Sequence, residues 1–377
     1  MVSSYTLDDL IIKSCDAYLA EYEKNGHTFL HGRNGPHGNS ESGVRNAAHW
    51  LISFSYAWKI SQKEEYRALC DAALRYLMSD EVRPHNYTHM HRTDGGDRCN
   101  GVIGPAWAIE ALVYAYNTFG AEDILRFAVR LFKMLPFDDK VGLWRRIEID
   151  GTDTGFDLTL NHQLWFAAAG AGLCAHDAEI AKQIGVFLDM LDRKISLMRG
   201  GYYKMNVSGV SLIAKRYFYD ALRTTGAAVR TRLTKGGAFM RMTIYGYHLF
   251  HTYALATLRE AFPHHTAWNS DKIKKSVRLL FSEECLNHAM ASKFGKHYNP
   301  PGFEIAFSVQ MLGDLVAEHG AVEKRVNQCV QIQVESTYNH ATGFMDRVDY
   351  DTVTYASRIY EAVYLRGATT IFPSSTL

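Results

Sequence analysis

The feature that most constrains this chain is the alternation of its connections. Apolar residues recur at three- and four-residue spacing from end to end, and β-branched alternation is scarce. This periodicity predicts twelve helices, over 7–24, 44–60, 63–79, 104–119, 121–135, 157–174, 176–198, 238–262, 270–293, 302–319, 321–337 and 350–366. Several links are tight turns: "SQ" after the second segment, "GAED" between the fourth and fifth, "AHDAE" between the sixth and seventh, and "HGAV" between the tenth and eleventh. The alternate links are long, at 25–43, 80–103, 136–156, 199–237, 294–301 and 338–349. Helices wound as antiparallel hairpins put every long link at one end. Even-numbered segments are rich in Ala, Gly and aromatics, as expected of helices covered on both sides, whereas odd-numbered ones such as "SQKEEYRALCDAALRYLM" carry a charged face. The pattern predicts six hairpins closed into an all-α (α/α)6 barrel, a toroid with the even-numbered segments inside. An open stack of repeats would show a fixed period, which these unequal units lack.

With 377 residues, 47% of them hydrophobic, the chain can bury a large core. It reads as one toroidal domain over 1–377, with 199–237 as a lid or insertion and "VGLWRRIEIDGTDTGFD" as a short hairpin over the open face. Lys plus Arg number 41 against 40 Asp plus Glu, so the basic excess that phosphate-backbone binding requires is missing and no nucleic-acid partner is expected. Asp8 and Asp9 interrupt the N-terminal stretch where a secretory peptide needs an apolar core, and no apolar run reaches membrane-spanning length. The expectation is a soluble, cytoplasmic protein without a membrane partner, which could pair as a homodimer. Six scattered cysteines inside apolar patterns read as reduced core residues rather than a disulfide framework.

In such a toroid the long loops and the starts of the inner helices line one mouth, so polar clusters there are candidates for function. "NGPHGNSESGVRNAAHW" offers Arg45 and His49. "HNYTHMHRTDGGDRCNGVIGPAW" offers His89, His91, Arg92, Asp97, Arg98, Asn100 and Trp107. Imidazoles and a thiol at this density could bind zinc, but the spacing matches no closed site. Arginines that fork onto a carboxylate are the preferred reading, with no metal and no cofactor expected. "LNHQLWFAAAGAGL" opens with Asn161 and His162, followed by Trp165. "MRMTIYGYHLFHTYALATLREAF" carries Arg241, Tyr245, Tyr247, His248 and His251, and "HYNPPGFEIAFSVQMLG" carries Tyr298, Asn299 and Glu304 at a helix start. The last cluster, "HATGFMDRVDYDTVTYASRIYEA", supplies Arg347 and Arg358.

"LNHQLWFAAAGAGL" resembles the Asn-His-x-x-Trp helix of the alginate lyases, and "GYHLFHTYAL" resembles their Tyr-His helix. The resemblance implies that Asn161 neutralises a uronate carboxylate and that His162 and Tyr247 act as base and acid, with Arg241 assisting. The twelve-helix plan is also similar to that of the N-acylglucosamine 2-epimerases and unsaturated glucuronyl hydrolases. Physically, removing the proton beside a carboxylate requires neutralising that carboxylate and holding a base within hydrogen-bond reach. The residues therefore point to an enzyme acting on an acidic, uronate-containing saccharide by proton abstraction, as lyase or epimerase. Catalytic candidates are His162, Tyr247, Asn161, Glu304 and His248. Two alternatives stay open: a glycoside hydrolase pairing Glu304 with Asp94, Asp97 or Asp349, and a non-enzymatic binding toroid.

Overall fold

The computed structural model of the chain describes residues 4–209, 218–365 and 372–373, with 218–238 and 372–373 described by their backbone. Thirteen α-helices are found among them: α1 Leu7–Lys24, α2 Val44–Ser61, α3 Glu64–Met78, α4 Ile103–Phe119, α5 Glu122–Lys133, α6 Leu160–Ala171, α7 Ala178–Lys194, α8 Phe218–Ala261, α9 Asp271–Leu279, α10 Glu283–Ala291, α11 Pro301–Leu312, α12 His319–Thr337 and α13 Thr352–Ser357. A 3-10 helix, Arg358–Tyr364, continues α13.

Packing follows the expected ring. Going round, α2 lies against α4, α4 against α6, α6 against α8 and α8 against α11, and the Arg358–Tyr364 segment touches both α11 and α2. The circle is thereby closed. Outside it lie α1, α3, α5, α7, α9 with α10, and α12. Composition explains the division: α4, "IGPAWAIEALVYAYNTF", is buried on most of its circumference, whereas α5, "EDILRFAVRLFK", buries one stripe and carries Glu122 and Asp123 in its first turn and Lys133 in its last. The architecture is an (α/α)6 barrel. All six cysteines are free, five of them buried, and no helix among the described residues is long and apolar enough to cross a membrane.

Several expected elements differ in detail. The segment 270–293 is two helices, because Ser282 turns out of the helix and its hydroxyl accepts the Cys285 N–H at 3.1 Å, capping α10. The helix expected at 238 begins at Phe218, so part of the supposed lid is helical backbone continuous with α8, while 210–217 lies outside the described residues. Residues 203–207 run beside the α6 entry, where Leu160 N donates to Met205 O at 2.7 Å and Val207 N to Leu158 O at 3.0 Å. The hairpin expected near 141–157 is a three-stranded antiparallel sheet, β1 Phe137–Asp138, β2 Leu143–Ile147 and β3 Asp153–Phe156, in which Phe137 faces Trp144 and Arg145 faces Phe156.

Close approach of α11 to α12 depends on Gly302, where a Cβ would meet the carbonyl oxygen of Cys329 and lie 2.5 Å from Gln333 Cβ. Backbone atoms cannot swing aside, so the added methyl must separate the helices. Gly302→Ala is expected to cost about 2 kcal/mol by overpacking, read as a lower midpoint in urea unfolding; an unchanged midpoint would show that the helices give way freely.

Candidate functional site

At the end of the barrel where the inner helices begin lies a cavity of about 210 Å3. Its base is set by α6. Asp157, three residues before that helix, accepts the N–H groups of Val102 at 3.1 Å and Thr159 at 3.0 Å, and its Oδ2 lies 2.7 Å from His162 Nδ1. Burial alone would raise the Asp157 carboxyl, but the charge and hydrogen bond of His162, with Arg146 and the Thr159 N–H, outweigh it and hold it well below the usual carboxylate range. A carboxylate can only accept, so Nδ1 carries the proton and Nε2 is left as the ring's basic atom. His162 lines the cavity and keeps 19% of its side chain exposed. Beside it Asn161 also lines the cavity, its Oδ1 without a hydrogen-bond partner among the described residues.

The neighbouring inner helix supplies Tyr247, whose hydroxyl is 2.6 Å from His37 Nε2. Burial first, then Tyr298 close by, push this phenol well above its usual range, so it stays protonated. His37 comes from a tight loop in which Asn34 and Gly35 have φ of 51° and 50°. Asp351 accepts Arg33 N–H at 2.7 Å, and Tyr298 donates to Asn34 Oδ1 at 2.7 Å, which ties the loop across the mouth. A side chain at Gly35 would collide with the Tyr298 ring. Asn34 and His37 line the cavity and escaped the sequence reading, since "NGPHGN" carries only a turn signal.

Cations complete the site. Arg92 lines the cavity and is held by Asp97 at 3.2 Å and by the Asn100 side chain. Behind the wall, the Arg45 guanidinium lies 4.2 Å from the Trp107 ring centroid and 5.4 Å from that of Tyr298. Its nearest carboxylate, Glu41, is 3.6 Å away, and no Arg45 nitrogen is hydrogen-bonded among the described residues. His49, His89 and His91 are buried close by. Burial, reinforced for His49 and His91 by Arg45, depresses all three, His89 to about 4, so they are neutral side chains.

Of the expected residues, the structure brings Asn161, His162, Tyr247, Arg92, Asn100, Trp107 and Tyr298 to the cavity wall. Others are placed elsewhere. His248 is buried between Tyr202 and Tyr203, where it accepts the Tyr203 N–H at 3.3 Å. Tyr245 stacks on His288 at 4.1 Å, Arg241 is exposed, and His251 Nδ1 bonds the Tyr247 carbonyl at 2.5 Å. Trp165 donates to Phe250 O, His89 bonds Leu77 O, Arg98 reaches Met90 Sδ and Arg347 is exposed. Asp97, Cys99 and Glu148 bring potential ligand atoms within 4.8 Å, but these atoms are tied by internal bonds, Asp97 to Gly101 N, Cys99 to both carboxylates and Glu148 to Arg98 N.

Glu304 is fully buried against Arg358, 3.2 Å away, with Glu361 on the same guanidinium and Asn299 Oδ1 accepting from it at 3.0 Å. Asp94 and Asp349 are exposed, and among the described residues no Asp or Glu lines the cavity. The carboxyl pair of a hydrolase is therefore not assembled there. Burial, with the charge of Glu361 adding to it, pushes Glu110 up to about 8. The folded chain then keeps a proton that the unfolded chain loses above its ordinary value near 4.5, so Glu110 destabilises progressively as pH rises from about 4.5 to about 8. Glu110→Gln removes this penalty: its stability advantage over the parent should grow over that window by up to about 1.4 kcal/mol per pH unit. Urea unfolding at several pH values checks this, and a difference independent of pH would contradict it.

No protein-family model matches the chain. Over 372 residues it is 36% identical to archaeal glycosylation protein Q of Haloferax volcanii, which covers 96% of this chain and 97% of that protein. Among solved structures it is similar to a D-mannose isomerase (TM-score 0.63, 14% identity, 95% of this chain and 97% of that one). It is also similar to cellobiose 2-epimerase from Bacillus thermoamylovorans (TM-score 0.60, 11% identity, 93% and 100%) and to an unsaturated glucuronyl hydrolase specific for heparin (TM-score 0.59, 13% identity, 95% and 96%). At such identities these likenesses establish the toroidal fold.

Proposed function

The chain belongs to the family of archaeal glycosylation protein Q, and from that membership and the cavity chemistry we propose that it is a sugar epimerase or isomerase acting on a single acidic sugar unit used in glycan assembly. The observation that carries this reading is the Asp157–His162 pair at 2.7 Å, with its basic Nε2 left for a cavity that also holds the Tyr247 hydroxyl. His162 Nε2 takes the proton from the carbon beside the sugar's carboxylate, and the C–H electron pair moves into that group as an enediolate. Arg92 and Asn161 stabilise the charge that develops on it. Tyr247, protonated and bonded to His37, returns a proton to the carbon, which completes the inversion without loss of a substituent.

Size supports an epimerase over a lyase acting on long chains. The cavity, about 210 Å3, is smaller than the ~300–1,000 Å3 of sites that hold drug-sized ligands, and the His37 loop crosses its mouth. One ring fits better than a polymer. The absence of a lining carboxyl pair among the described residues disfavours hydrolysis. Six free cysteines support a reducing, cytoplasmic setting.

The test is turnover of a panel of free and glycosidic hexuronic acids, followed by NMR for new epimers and by absorbance near about 235 nm for a C4–C5 double bond. The expected result is an epimer without that absorbance. His162→Ala should lower kcat by about 10³-fold, within the range for loss of a general base, and His37→Ala by less. A rise in absorbance would make the reaction an elimination, and full turnover by His162→Ala would remove His162 from the chemistry.

A further inference from the structure

The ring has a second cavity at the opposite end, which the proton-transfer site does not use. It measures about 230 Å3 and lies among the later turns of the inner helices, with Glu110 and Tyr114 from α4, Ala168 and Ala169 from α6, and Phe307 and Tyr364 beyond. Three observations define its chemistry. First, α4, α6 and α8 end nearby, at Phe119, Ala171 and Ala261, so the negative ends of three helix dipoles converge on it. Second, no Lys, Arg or His lines it among the described residues. Third, the Glu110 carboxyl stands in the wall with a hydrogen bond to Tyr364 and with no Lys, Arg or His ion-paired to it among the described residues.

We propose that this cavity binds a small organic ammonium ion, with the cationic nitrogen on Glu110 and the carbon body against Phe307, Tyr114 and the Ala168–Ala169 wall. A hard metal ion fits poorly, since it requires about six to eight oxygen ligands and much of this wall is alanine and aromatic ring. The rings also attract a cation through their faces. Glu110 is pushed up to about 8 by burial and by Glu361, against smaller opposing effects of the Tyr364 hydrogen bond and of Arg358. Tyr364 hydrogen-bonds the carboxyl, and Glu260, a second acidic group, shares the wall with Tyr114, Asn117 and Thr257. A bound cation favours the ionised carboxyl, so binding near neutral pH expels the Glu110 proton.

Isothermal titration calorimetry on the full chain tests this, using tetramethylammonium chloride and cyclohexylammonium chloride, with sodium chloride as the ionic control. Measurements near pH 7 in two buffers of different ionisation enthalpy count the protons released. The expected result is saturable binding of an ammonium but not of sodium, with up to one proton released per ion. Affinity should fall about tenfold or more in Glu110→Gln, as expected for loss of the carboxylate charge and, for cyclohexylammonium, of a charge-assisted hydrogen bond as well. Ala169→Leu, which fills the cavity and keeps the carboxyl, should weaken binding independently. No saturable heat from either ammonium, an equal response to sodium, or undiminished affinity in both variants would overturn the proposal.

Discussion

A ring of helices must close on itself, and here the closure is made at Arg358. Its guanidinium, fully buried, holds Glu304 of α11, Asn299 just before that helix and Glu361 one turn along its own segment. One residue earlier, Ser357 faces the other way: its hydroxyl meets His49 Nδ1 at 3.0 Å and donates to Asn46 Oδ1 at 3.3 Å, both on α2. The last inner segment is thus riveted to the first and fifth inner helices by polar contacts in a dry interior. Removing one partner of such a pair leaves an unpaired buried charge, which costs far more than the pair contributes. Glu304 is better understood as part of this rivet than as a catalytic acid.

Closure in turn places the chemistry. Once the ring is fixed, α6 and α8 stand side by side, and the entry of α6 presents Asn161 and His162 towards the face of α8 that carries Thr243, Tyr247 and Phe250. The 33–38 loop is tied to the last two inner segments of the ring: Asp351, from the entry of the last one, accepts the N–H groups of Arg33 and Gly35, and Tyr298, from the entry of α11, bonds Asn34. His37 reaches Tyr247 because these ties hold the loop over the mouth. Site and scaffold therefore share their anchors.

Much of this was legible in the sequence, for identifiable reasons. Helical periodicity and the alternation of short and long links gave the inner and outer layers, since burial on both faces leaves a compositional mark. The break at Ser282 was hidden because Leu279, Leu280 and Phe281 keep the apolar pattern running through it. Asn161 and His162 stand out as a polar pair at the mouth of an apolar helix and Tyr247 by the density of polar aromatics around it, a signal that Tyr245 and His248 share. A helix repeats every 3.6 residues, so 243, 247 and 250 share the cavity face while 245 and 248 turn away from it, towards His288 of α10 and Tyr203 of the segment before α8. His37 and Glu41 could not be read, because their roles depend on contacts with residues about 210 and four positions away that a glycine-rich loop does not announce.

In the proposed reaction His162 takes a proton from a sugar carbon and Tyr247 returns one to it. The most direct measurement is hydrogen exchange at that carbon: a hexuronic acid that the protein turns over is incubated in D2O and the product examined by NMR. One deuterium is expected, placed on the inverted carbon beside the carboxylate, because the returning proton comes from a phenol in exchange with solvent. Product formed with the original hydrogen retained at that carbon would contradict it.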